Sequence, residues 1–76
     1  MNLKSFPVFD RHLFDALGNS CRISLYKIGV HEFELYIHEY NSSIPERRIG
    51  AIGELNRYAD NWTTQKEQSG FMIGQP

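Results

Sequence analysis

The side chains best suited to metal binding or nucleophilic chemistry are His12, His31, His38 and Cys21. A zinc site needs three or four such groups, or carboxylates, converging at short spacing, and these four are scattered over three predicted elements. His31 and His38 differ by seven, so on one strand they face opposite sides and cannot share an ion. Cys21 alternates in phase with Ile23 and Leu25, which aims it at the apolar side, where cysteines pack as inert small hydrophobes. Glu32 and Glu34 share the outward side, but a carboxylate pair works as acid and base only in a cleft that desolvates one member. A two-stranded surface supplies none. The chain therefore reads as non-enzymatic, with no metal and no cofactor.

Two further patterns invite ligands. Gly50-Ala51-Ile52-Gly53 has the look of a phosphate-binding glycine pair, yet such glycines precede a helix N-terminus, and here the pattern places them inside a helix. Each costs about 1 kcal/mol there relative to alanine, so Gly50 and Gly53 mark either close approach of a second chain or tolerated surface positions. Arg47, Arg48 and Arg57 could meet phosphates while Tyr26, Tyr36 and Tyr40 stack on bases. Glu32, Glu34, Glu39 and Glu54 are interleaved with them and repel a phosphate backbone, which ranks nucleic acid below protein as a partner.

The elements that position these groups follow from periodicity. From 20 to 40 the period is two: Cys21, Ile23 and Leu25 alternate with Arg22, Ser24 and Tyr26, and Phe33, Leu35 and Ile37 with Glu32, Glu34, Tyr36 and His38. These are two half-buried strands of a hairpin. Opposed residues share a face, so the parity calls for a loop of three or five residues, with Gly29 in the left-handed region. Phe6, Phe9, Leu13, Ala16 and Leu17 recur at helical spacing, which predicts a helix over 5–18 capped by Ser5 or Asp10 and closed by Gly18-Asn19. Ser43-Ile44-Pro45-Glu46 reads as a capping box opening a second helix over 43–63. The remainder, 64–76, reads as a polar linker and a short apolar tail around Phe71, Met72 and Ile73.

The expected fold is thus one α+β domain spanning 1–76, an α-β-β-α arrangement in which two helices cover one face of an antiparallel hairpin. Because a two-stranded sheet is marginal alone, either residues 71–73 add an edge strand or a homodimer extends the sheet. At 76 residues there is room for a single small core. Eight Lys and Arg against nine Asp and Glu give a net charge of −1, without the positive field that concentrates nucleic acid. The lone cysteine allows no internal disulfide. No apolar run reaches signal-peptide or membrane-span length, so a soluble cytoplasmic protein is expected.

What remains is an outward hairpin face of Arg22, Tyr26, Glu32, Glu34, Tyr36, His38 and Tyr40, together with Gly50, Gly53 and Arg57 on the helix. Tyrosine and arginine recur at the centres of protein interfaces, so these ten residues are the expected binding set for a protein partner. In size, near-neutral charge and lack of catalytic motifs the chain resembles the small proteins of phages and mobile elements that block host machinery, anti-CRISPR proteins among them. That resemblance implies an inhibitor or regulator of a larger complex, and it assigns no residue a role. The alternative is a dimeric nucleic-acid-binding regulator.

Overall fold

The computed structural model describes residues 6–74. In chain order these form β1 (Phe9–Phe14), β2 (Ser20–Lys27), β3 (Phe33–His38), β4 (Glu46–Gly50), α1 (Ile52–Gln68) and β5 (Met72–Ile73). The strands make one antiparallel sheet in the order β4-β3-β2-β1-β5, and α1 packs across one face. This corrects the expected α-β-β-α arrangement: the described residues form a five-stranded sheet and a single helix.

The central hairpin is as the parity required. Ile23 opposes Ile37, Leu25 opposes Leu35 and Lys27 opposes Phe33, which leaves a five-residue loop, 28–32. Gly29 is not left-handed there; the Ile28 and Gly29 N–H groups both donate to the Glu32 carbonyl, at 3.0 and 3.1 Å, and close the loop without it.

The first predicted helix is strand β1. Its inward residues are Phe9, Arg11 and Leu13, and Arg11 disguises the period of two. The Arg11 guanidinium lies over the Phe9 ring at 4.4 Å, while its nitrogens donate to Thr63 Oγ1 (2.9 Å) and Asp60 Oδ1 (3.1 Å) on α1. A charged residue thus occupies a core-facing position because the helix supplies its acceptors. Gly18 (φ 86°) ends no helix. It serves a hairpin turn in which Asp15 Oδ1 accepts from the Leu17 and Asn19 N–H groups. The alternative cap, Asp10, sits within β1, and Ser5 lies outside the described residues.

The second helix begins nine residues later than the capping-box reading placed it. Pro45 disfavours helical backbone at Ile44, Ser42 closes a turn on Ile44, and Glu46–Gly50 pairs with β3 instead. The pairing covers an edge that would otherwise be bare, a tertiary gain that outweighs the local signal. Ala51 then precedes α1 with no side-chain cap. The helix buries Leu55, Ala59, Trp62 and Thr63 and continues through most of the stretch read as a linker. It ends where Gly70 (φ 104°) lets the Phe71 N–H reach the Lys66 carbonyl at 3.0 Å, a left-handed stop that turns Phe71 into the core. The tail does add an edge strand, on β1 rather than on the hairpin.

The core lies between sheet and helix: Leu13, Cys21, Ile23, Leu25, Leu35, Ile37, Leu55, Ala59, Trp62 and Phe71. Glu39, just past β3, pins the two layers. Its carboxylate accepts from Trp62 Nε1 at 3.1 Å, from Lys66 Nζ and from the Cys21 thiol at 3.5 Å.

Candidate functional site: the open face of the sheet

Strand parity puts Asp10, His12 and Phe14 of β1, Arg22, Ser24 and Tyr26 of β2, Glu34, Tyr36 and His38 of β3, and Arg47 and Ile49 of β4 on the face away from α1. Among the described residues no element covers it. The registers arrange them in rows across the strands: His12, Arg22 and His38 in one, Asp10, Ser24, Tyr36 and Arg47 in the next.

Within this face lies a shallow concavity of about 580 Å³ lined by Arg22, Ser24, Tyr26, Lys27, Ile28, Glu34, Tyr36, His38 and Pro45. Its floor is aromatic. The Tyr26 and Tyr36 rings meet edge to face with centroids 5.8 Å apart, a geometry favoured by ring quadrupoles. Two arginine clamps flank them. Arg22 donates through Nε (2.9 Å) and Nη2 (2.6 Å) to the two oxygens of Asp10, and Ser24 Oγ adds a third bond at 2.8 Å. The Arg22 hydrogen bond is the main reason that the Asp10 carboxyl titrates below its ordinary range, against a smaller opposing effect of burial.

Arg47 grips Glu34 through Nε (2.8 Å) and Nη2 (2.6 Å), with its guanidinium 5.3 Å from the centre of the Tyr36 ring. Glu34 is only 6% exposed, which corrects the expectation of a solvent-facing carboxylate. The partner of Arg22 is Asp10, which β1, read as a helix, brings to it.

Of the ten residues expected to bind, five are brought together: Arg22, Tyr26, Glu34, Tyr36 and His38. Glu32 is exposed in the hairpin loop. Tyr40 lies beyond the end of β3, its ring 5.8 Å from that of Phe71. Gly50, Gly53 and Arg57 do not form one helical face: Gly50 ends β4 opposite Phe33, Gly53 is in the first turn of α1, and Arg57 borders a separate hollow with Arg48, Glu54, Tyr58 and Asn61. Asp10 and His12 were missed because their segment carries helical spacing, although they do fall two apart.

The other chemical candidates separate. Arg47 and Arg48 point to opposite faces, Arg47 to Glu34 and Arg48 to Glu46 and the Tyr58 ring. Cys21 is buried, and burial pushes its thiol above the ordinary range, away from nucleophilic use. Among the described residues no three His, Cys, Asp or Glu side chains converge on a common point, and no helix is long and apolar enough to cross a membrane. No protein-family model, curated protein or solved structure matches the chain.

Proposed function

We propose that this chain is a small non-enzymatic protein that acts by binding another protein through the open face of its sheet. The observation that carries the reading is the aromatic concavity itself. Tyr26 and Tyr36 are held edge to face between two arginine clamps, on a face that no other element among the described residues covers. Rigid tyrosines bury much area on binding at low entropic cost, and arginines beside them add directional hydrogen bonds. These side chains do little for the core on the other side of the sheet, so their clustering favours an external partner.

The specific form we favour is an inhibitor or regulator of a larger complex, of the kind carried by phages and mobile elements and working in the cytoplasm. Blocking a surface needs only a rigid patch, which the paired tyrosines and arginines supply. Affinity capture tests it with three forms of the protein: unaltered, Tyr26→Ala/Tyr36→Ala, and Arg57→Ala on the helix. A stoichiometric partner should be retained by the first and third and lost by the second, with circular dichroism confirming that all are folded. Equal retention by all three forms would refute the assignment of this face.

A further inference from the structure

The two edges of the sheet are guarded unequally. One is β5, a strand of two residues, too short to template another. The other is β4, exposed at four of its five positions, and among the described residues no strand pairs with its outer side. Charged side chains usually protect such an edge, but here they are drawn off it. The Arg47 guanidinium lies on Glu34 and over Tyr36, and that of Arg48 on Glu46 and over Tyr58. In an antiparallel ladder the N–H and C=O of one residue point to the same side, and the side alternates along the strand. The Leu25 carbonyl is taken from the β1 side by the Val8 N–H, and the Ile28 N–H reaches the Glu32 carbonyl across the hairpin. Carried through the registers, this directs Leu35 to Arg48 and turns the backbone groups of Arg47 and Ile49 outward. The Ala51 N–H continues that row, since Ala51 is extended (φ −76°, ψ 152°). Ile49 is also 61% exposed, a large apolar side chain at a bare edge.

From this we infer that β4 pairs with β4 of a second copy of the chain, antiparallel about a two-fold axis at Ile49, so that two sheets become one. The register follows from the side chains. An axis at Arg47 or at Arg48 would set that arginine directly against its own copy, and like charges so opposed are destabilising. With the axis at Ile49 the two isoleucines meet, Arg47 faces Ala51 and Arg48 faces Gly50. Each Ile49 N–H then donates to the other copy's Ile49 carbonyl, and each Ala51 N–H to the other copy's Arg47 carbonyl, every bond occurring twice by symmetry. Gly50 has no side chain to obstruct the incoming Arg48. Glu54 Oε1 stands 3.2 Å from where a Gly50 Cβ would lie, which puts a carboxylate beside that arginine. A domain with so small a core gains support from such an extension. The open faces of the two copies come to lie side by side, so the pairing leaves Tyr26 and Tyr36 uncovered and is independent of the reading above.

Sedimentation equilibrium and amide hydrogen exchange on the whole chain test this. Across a concentration series the mass should rise from 8.9 kDa to twice that value. The Ile49 and Ala51 amides should gain about tenfold or more in protection along the same series, while that of Arg48, bonded to β3 in either state, stays constant. Ile49→Lys, an exposed change that sets two ammonium groups together on the axis, should weaken association by about a hundredfold, and Glu54→Lys by about tenfold. Ile49→Thr keeps a branched strand former and should weaken it less, so the test stands even if Ile49→Lys fails to fold. Leu17→Lys, at an exposed turn, should leave the dimer unaltered. A mass of 8.9 kDa at every concentration, a dimer indifferent to both Ile49 variants, or an Ile49 amide that exchanges freely in the dimer would overturn the inference. Capture of a different protein by a chain that stays monomeric, lost on Ile49→Lys, would give the edge to that protein's strand and overturn the second copy as occupant.

Discussion

On the helix side of the sheet, Ile23, Leu25, Leu35 and Ile37 stand buried beneath Leu55, Ala59 and Trp62. One residue along the same strands, Arg22, Tyr26, Tyr36 and His38 meet no covering element among the described residues. Both faces contain charge, but they handle it differently. On the helix side Arg11 and Glu39 reach across layers, to Asp60 and Thr63 and to Trp62 and Lys66, so their charges tie helix to sheet. On the open side Asp10 with Arg22 and Glu34 with Arg47 are paired within the sheet. Pairs of that kind hold side chains in place without joining layers, and they leave a shallow concave surface suited to an outside partner.

The contrast breaks most readily at the core. Leu35→Ala removes a wholly buried side chain and should cost about 3 kcal/mol. For a domain with so small a core that is much of the total stability, and urea denaturation should show a correspondingly lower midpoint. A loss below about 1 kcal/mol would mean that the helix does not seal this face.

The interlayer pin should come next. Glu39→Ala leaves the Trp62 and Lys66 donors unmatched and should cost about 1–2 kcal/mol, allowing for partial solvent screening. Burial raises the Glu39 carboxyl, but hydrogen bonds from Lys66 and Trp62, helped by the lysine charge, outweigh it and hold the folded-state pKa below the ordinary glutamate value. Its stabilisation is therefore complete above the ordinary glutamate range and is lost as pH falls through the depressed folded value. Glu39→Gln should flatten that part of an acid-denaturation curve, and a slope equal to that of the unaltered protein would contradict the pin.

The open face should matter least to folding. Tyr36→Ala loses a partly exposed ring and one aromatic pair, at about 1 kcal/mol. Gly53→Ala should stabilise the protein by about 0.5 kcal/mol, because a Cβ there meets open space in the first turn of a helix. A loss of stability or of partner capture on Gly53→Ala would revive the idea that a second chain approaches at that glycine.

The sequence disclosed the hairpin and its two-sidedness because each strand there alternates cleanly and burial on one side enforces the register. It concealed β1 because Arg11 occupies a core-facing position and Phe14 an outward one, so the alternation is broken within the strand and again at its last residue. It concealed β4 because Ser43 and Glu46 carry a sound local helix-start pattern, overridden by pairing with a strand whose edge needed cover. Half of the candidate site was legible for the same reason that the hairpin was. The other half, Asp10, His12 and the Arg47 clamp, depends on which strands flank the hairpin, and no local periodicity carries that information.

The most direct test of the division between the faces uses tyrosines on both sides of the sheet. Tyr26 and Tyr36 lie on the open face, and Tyr58 lies on α1 with its hydroxyl donating to Glu46. Iodination of each ring can be followed by mass spectrometry in the free protein and in its complex with the captured partner. Protection of Tyr26 and Tyr36 with Tyr58 unchanged is the result expected of a sheet-face interface. Protection of Tyr58 with Tyr26 and Tyr36 still freely labelled would place the partner on the helix and contradict it.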